Sequence, residues 1–425
     1  MRQRWQAAKL ILFLKAKNYD KVMTMKTLIT ALVICISAPI LYAQEPTVWR
    51  GGDNGNYHET GLLKQWPAGG PEILWSFEGL GEGHSSPTFA NNQIYISTMI
   101  DGEGYIFVLS QDGKLKWKAN YGKEFTESYP GARSSVVVAG GLMYMYSGLG
   151  ELVCMDANNG SVKWKKNAFT DFDGKNIQWG VTETVVIDGD VVYLTPGGKK
   201  NNMVALNRFN GELIWTSPGV GELSAYCTPA LVKLSERTLL VTHTANHIIG
   251  LDAKNGNLLW SYPHANQWAV HANTPIYSDG GLFCFSGWGQ GSEMLKLSED
   301  GSSVQLLWKK AELDSRMGGM VLIDGYLYGS GDVSREWRCV NWKTGGESYA
   351  AAEIGKGVAI ADEGMLYCYS ERGELALVKA DPKEFKVTGK TKVELGSAQH
   401  WAHPVIDNGR LFVHHGNALV AYKIK

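Results

Sequence analysis

An aromatic residue recurs along this chain at a nearly constant interval, and that period limits the possible folds more than any other feature. Trp75, Trp117, Trp164, Trp215, Trp260, Trp308 and Tyr349 follow one another at steps of 41 to 51 residues. Self-similarity at such a period marks stacked supersecondary units, as in propellers and solenoids. Before most of these aromatics stands one pattern: alternating apolar residues, an Asp or Asn, three further residues, a Gly, then the aromatic four positions on. Asp156–Gly160–Trp164, Asn207–Gly211–Trp215 and Asp252–Gly256–Trp260 show it plainly, and Asn341–Gly345–Tyr349 keeps the spacing with Tyr. A short Asp or Asn side chain accepting backbone N–H bonds, followed by a Gly free to take positive φ, is the chemistry of a hairpin turn. The Trp falls on the outer strand, where a large flat ring can fill the space between neighbouring units.

A second hairpin signal precedes each motif. Turns at Asn91-Asn92, Gly140-Gly141, Asp188-Gly189, Asp279-Gly280, Asp324-Gly325, Glu363-Gly364 and Asn408-Gly409 separate apolar strands, and a degenerate copy at Ser235–Leu240 completes eight. The expected fold is all-β: an eight-bladed β-propeller of four-stranded antiparallel blades. Its ends are mismatched in a useful way. The last unit stops at Ala418–Lys425 with no motif Gly or Trp, whereas Ile73–Phe77 is an outer strand with no unit before it. The N-terminal strand is therefore expected to complete the last blade and close the ring, leaving no long sheet edge exposed. An open solenoid would need capping elements, and none is recognisable.

From Met25 the sequence reads as a secretory signal peptide: Lys26, an apolar run, and Leu41-Tyr42-Ala43 before Gln44. Residues 1–43 are read as a leader with Met25 as the true start and cleavage after Ala43, 44–70 as an N-terminal extension, and 71–425 as the propeller. A lipid-attachment reading of Cys35 is disfavoured by the bulky Ile34 before it. The expected location is the periplasm or the cell exterior, with no transmembrane segment after cleavage and a monomeric state. The leader holds seven Lys/Arg and one acid; without it the bases fall from 41 to 34 and the acids from 42 to 41, a charge near −7. Such a chain offers no basic stripe to a phosphate backbone, so nucleic acid is not an expected partner. Cys154, Cys227, Cys284, Cys339 and Cys368 alternate with apolar residues and include no Cys-x-x-Cys pair, which predicts buried free thiols, no structural metal and no covalent haem.

The Asp/Asn-x-x-x-Gly-x-x-x-Trp repeat resembles the PQQ-like β-propeller repeat of the quinoprotein alcohol dehydrogenase-like superfamily. Val48-Trp49-Arg50-Gly51-Gly52-Asp53-Asn54-Gly55, with Trp66-Pro67 and Leu74-Trp75, is similar to the N-terminal extension of many exported bacterial members. The resemblance covers about residues 48–425. It implies the fold strongly and the function weakly, because the superfamily holds both dehydrogenases and outer-membrane assembly scaffolds. Its dehydrogenases carry a quinone and Ca²⁺ in the funnel beside a vicinal Cys-Cys disulfide. This chain has no Cys-Cys dipeptide, and no metal-ligand set can be carried over onto it.

Residues just before the first strand of each unit are the natural lining of a propeller channel. They nominate His84, Arg133, Trp179, Glu183, Tyr226, His271, Asn273, Arg316, Lys356, His400, Trp401 and His403 as ligand-binding candidates, with no catalytic residue and no metal ligand assigned. Trp268 joins Trp179 and Trp401 as a platform for a planar ligand. A mixed cationic and aromatic rim would suit an anionic or carbohydrate-like ligand or an extended peptide. The rival for such a set is a wide, wet channel whose polar walls are merely solvated. The reading is an exported, non-enzymatic binding or scaffold propeller that engages a protein or carbohydrate-like partner and needs no cofactor. The alternative is a pyrroloquinoline quinone (PQQ)-dependent alcohol or sugar dehydrogenase using Ca²⁺.

Overall fold

The computed structural model describes residues 45–425; the leader, the cleavage site and Cys35 lie outside the described residues. Thirty-two strands form eight separate four-stranded antiparallel sheets, and the only helix among the described residues is a single 3-10 turn at Trp49–Gly51. In seven blades the strands follow in sequence from the centre outwards. Blade 1, for example, runs Thr88–Ala90, Gln93–Ile100, Glu103–Ser110, Leu115–Lys123. Blade 8 is composite: Val405–Asp407, Arg410–His415 and Ala418–Lys423 are joined on the outside by Ile73–Glu78, with Trp75 opposite Ala421. The ring closes as its mismatched ends require.

Burial follows position in the blade. Second strands such as Met365–Ser370 are buried at every residue, because both sheet faces pack on neighbouring blades, whereas outer strands such as Ile73–Glu78 alternate exposed and half-buried residues. The core is thus a ring of wedges, one per blade interface. Tyr95 and Val108 of blade 1 meet Met143 and Met155 of blade 2, and Ile96 and Leu109 meet Phe412 and Leu419 of blade 8.

The repeat motif is an inter-blade lock. Each Trp sits beside a β-bulge in its outer strand and packs against the turn Gly of the following blade. A Cβ on Gly211 would come 2.9 Å from Trp164, and one on Gly256 would come 2.5 Å from Trp215. Both glycines have φ near +70°, which a side chain would also strain. The indole N–H groups of Trp164, Trp215 and Trp308 donate to Arg208 O, Ala253 O and Trp342 O, all in the next blade's turn.

One blade lacks its aromatic. In the outer strand of blade 7, Lys386–Lys392, the residue at the Trp position beside the bulge is Gly389, paired with Leu377. The N-terminal extension supplies the missing ring. Trp66 is buried there, its Cβ lying 2.5 Å from where a Gly389 Cβ would stand, with its amide donating to Thr388 O and its indole 6.2 Å from Tyr367.

The same extension occupies the axial channel. Thr47 exchanges hydrogen bonds with Val138 on the innermost strand of blade 2, Arg50 donates to Met320 O and Ala359 O on the far side, and Asn56 pairs with Ala361 in blade 7. The open, wet channel expected of eight blades is therefore crossed by residues 47–57. Burial of the Arg50 guanidinium lowers its pKa to about 10, so it remains charged at neutral pH, held by those carbonyls.

Candidate functional site

Loops entering the innermost strands, together with loops between second and third strands, build one face of the ring and enclose a bowl of about 530 Å³. Its wall carries five tryptophans (Trp49, Trp179, Trp268, Trp288, Trp401) and two tyrosines (Tyr129, Tyr226), interspersed with Ser86, Thr182, Thr184 and Thr228. Trp49, from the extension, lines this bowl and also the cavities of about 290 and 400 Å³ on its other side, so it divides the channel. The rings form two groups. Trp179 lies 6.1 Å from Tyr226 and 6.4 Å from Trp268, while Trp401 lies 4.8 Å from Tyr129 and 5.1 Å from His84.

Seven of the twelve nominated residues line this bowl: His84, Arg133, Trp179, Tyr226, Arg316, Trp401 and His403. Glu183, His271, Asn273, Lys356 and His400 do not, and most of these misses have one cause. The chain approaching each innermost strand is extended, so side chains alternate between the bowl and the blade interface. His84 and Ser86, Thr182 and Thr184, Tyr226 and Thr228, Val270 and Ala272, and Trp401 and His403 face the bowl. The intervening positions turn inward. Glu183 accepts from the amide and hydroxyl of Thr195, Asn273 ties Phe285 O to Ser315 O, and His271 joins a buried histidine cluster. His400 stacks on His415 at 3.7 Å and bonds Tyr369 Oη. Lys356 sits behind the wall, paired with Asp332.

The two arginines of the bowl are held differently, Arg316 by acids and Arg133 by backbone carbonyls. Arg316 bonds Glu371 at 2.7 Å and lies 3.7 Å from Asp332, with its guanidinium 5.9 Å from the Trp288 ring. Arg133 donates to the carbonyls of Ser128, Tyr129 and Gly131, and burial holds its pKa at about 10, still charged at neutral pH. Burial, reinforced by Arg133, drives His84 down to about 3; burial, reinforced by Arg50, does the same to His403. Both imidazoles are therefore neutral. The result is an aromatic bowl with hydroxyl groups in which Arg316 is paired with acids and Arg133 is a cation held by carbonyls alone.

Backbone strain is concentrated here. Tyr129, Tyr226 and Trp288 are the aromatic residues held at positive φ among the described residues (+56°, +74° and +59°), and all three line the bowl. Bulky side chains avoid that region, and the strain persists only where surrounding structure over-determines it, typically at ligand clamps. Tyr226 shows how: its carbonyl accepts from Thr182 Oγ1 and its hydroxyl from the Trp179 amide. The sequence nominated Trp179, Trp268 and Trp401 but missed Trp49, Tyr129 and Trp288. Gly287-Trp288-Gly289, a bulky ring between two glycines in a loop, was the available signal.

A calcium-bound quinone, which the resemblance implies, does not fit these walls. Ca²⁺ takes six to eight oxygen ligands, largely carboxylate and amide. The bowl lining contains no Asp, Glu, Asn or Gln, and the nearby Asp332 and Glu371 are committed to Lys356 and Arg316.

Fold and repeat together place the chain in the PQQ-like propeller superfamily. Within it, the family model described as outer membrane protein assembly factor BamB matches residues 102–348, more than half of the sequence, and the chain belongs to that family. Similar solved structures include BamB from Moraxella catarrhalis (14% identity, TM-score 0.59, covering 83% of this chain and 100% of that one). A europium-containing methanol dehydrogenase is also similar (13%, 0.62, 86% and 88%), as is the quinohemoprotein alcohol dehydrogenase ADHIIG from Pseudomonas putida HK5 (11%, 0.60, 87% and 78%). At such identities the likeness is one of fold. No curated protein matches the sequence.

Proposed function

We propose that this protein is an exported, non-enzymatic binding propeller of the cell envelope that holds a protein partner through its aromatic bowl and the loops around it. The observation that carries this reading is the strained set Tyr129, Tyr226 and Trp288 on a wall of seven aromatics. Clustered tryptophans and tyrosines on a concave face are the composition of interface hot spots, where rigid rings accept an apolar side chain at little entropic cost. The family's description as an outer membrane protein assembly factor supports a protein partner and an envelope location. No helix among the described residues is long and apolar enough to cross a membrane. The missing oxygen ligands speak against the dehydrogenase.

Intrinsic fluorescence tests the reading, since Trp179, Trp268 and Trp401 would report occupancy. The protein is titrated with peptides rich in aromatic and aliphatic side chains, with neutral oligosaccharides, and with pyrroloquinoline quinone plus Ca²⁺. A saturable response to peptide, weakened at least about tenfold by Trp179→Ala or Trp268→Ala, is expected, as for hot-spot truncations of about 1.4 kcal/mol or more. A response to oligosaccharide alone would move the ligand class to carbohydrate. Quinone binding with turnover of alcohols or sugars would overturn the proposal.

A further inference from the structure

Behind the bowl wall, between blades 4 and 5, three histidines meet. His243 ends the strand Thr238–His243, His264 follows the strand Leu258–Pro263, and His271 lies in the loop leading into blade 5. They are 0–1% exposed, and their candidate ligand nitrogens lie within 4.8 Å of one another. Glu293, equally buried, brings Oε2 to 2.5 Å from His264 Nδ1, and its Oε1 pairs with Lys309 at 2.8 Å. We propose that His243, His264 and His271, with Glu293 as the accompanying carboxylate, form a binding site for a divalent transition-metal ion of the Zn²⁺ class.

Unmet hydrogen bonding is the first argument. Among the described residues neither ring nitrogen of His243 nor Nε2 of His264 has a hydrogen-bond partner, while His264 Nδ1 lies 2.5 Å from Glu293 Oε2. Buried polar atoms are seldom left so, and several converging on one point require a common partner. The spacing is the second. Zn–N bonds of about 2.0–2.1 Å place imidazole centres about 3.2 Å from an ion, hence about 5.2 Å apart at the tetrahedral angle. The observed ring centres are 5.0, 5.1 and 5.3 Å apart. Ligation would bring the nitrogens, which now lie within 4.8 Å of one another, to about 3.3 Å around the ion.

The surroundings suit ligation as well. Ligating imidazoles usually engage a carboxylate or carbonyl through their other nitrogen. His264 has Glu293 beside Nδ1, and His271 has Ala245 O at 3.2 Å from Nε2. The remaining His271 nitrogen contacts Ser286 Oγ, a hydroxyl that has Val270 O as an alternative acceptor at 3.2 Å. An ion here would pin the segment from His264 to His271 against blade 4, and that segment carries Trp268 and Val270 into the bowl. This departs from the expectation, drawn from the cysteine pattern, of no structural metal.

Because the site is sealed, the ion must enter during folding. The test therefore uses tag-free mature protein made in Zn²⁺-supplemented medium, dialysed, and analysed for metal by mass spectrometry. About one ion per chain is expected, falling at least about tenfold in His264→Ala and His243→Phe. Less than about a tenth of an ion in the wild-type protein overturns the proposal whatever the variants do. Equal metal in wild type and in folded variants also overturns it. Growth with Co²⁺ gives a second readout, since tetrahedral ligation produces visible absorption that would disappear in the same variants.

Discussion

Replacing Trp66 with Ala tests the claim that a residue outside the repeats completes a repeat. Trp66 is 3% exposed, and a buried indole removes on the order of 200 Å² from water, worth about 5 kcal/mol at 25 cal/mol/Å². Against this stands its indole N–H, which has no partner among the described residues and costs about 1–3 kcal/mol. The net loss on truncation is about 2–4 kcal/mol. For the 381 described residues, at about 2.1 cal/mol/K each, the unfolding entropy is about 0.8 kcal/mol/K, so the midpoint should fall by about 3–5 °C. Thermal unfolding followed by circular dichroism measures this. Two companion variants sharpen the result. Trp66→Phe should cost less than about 1 kcal/mol, because it keeps most of the ring area and discards the unpaired donor. Gly389→Ala should behave like Trp66→Ala, because its methyl group would stand 2.5 Å from the Trp66 Cβ. If Trp66→Ala melts within about 1 °C of wild type, the extension is not docked in blade 7 and the reasoning fails.

Glu183 gives a pH signature. Burial raises its pKa to about 8 against an ordinary 4.5, while the Thr195 hydrogen bonds offset part of that rise. Folding therefore favours its protonated form, and this contribution to stability, complete below about pH 4.5, is lost as pH rises towards 8. Glu183→Gln should flatten the fall of the melting midpoint between about pH 5 and 8, and an unchanged slope would refute the assignment. The cysteines give a third test. Cys154, Cys227, Cys284, Cys339 and Cys368 are free and buried, and burial raises the thiol pKa of each. A thiol reagent such as DTNB should find fewer than about 0.5 reactive thiols in the native mature protein and five after denaturation; rapid native labelling would place one of them at the surface.

Turn chemistry was legible at a distance because it is local and repeated. The Asp/Asn-to-Gly-to-Trp spacing encodes a hairpin, a bulge and an inter-blade contact within nine residues, and the closure by Ile73–Phe77 followed from counting strands. Gly389 shows where repetition stops helping. The missing aromatic of blade 7 comes from Trp66, which is 323 positions away in the chain, and only the folded ring brings the two together.

The bowl was half legible for a different reason. Position before each innermost strand was the right criterion, but it selects a stretch of chain and not a face. Extended backbone sends neighbouring side chains to opposite sides, so His403 reaches the bowl and His400 does not, and Tyr226 reaches it while Cys227 turns away. Parity applied to each stretch would have removed Glu183, His271 and Asn273 from the candidates and raised Thr182, Thr184 and Thr228. It would also have shifted the chemistry inferred towards aromatic rings and hydroxyl groups. The residues that parity directs inward are the ones whose buried polar atoms need partners. Glu183, whose pKa burial raises, and His271, beside the unpaired nitrogens of His243, both lie one layer behind the bowl.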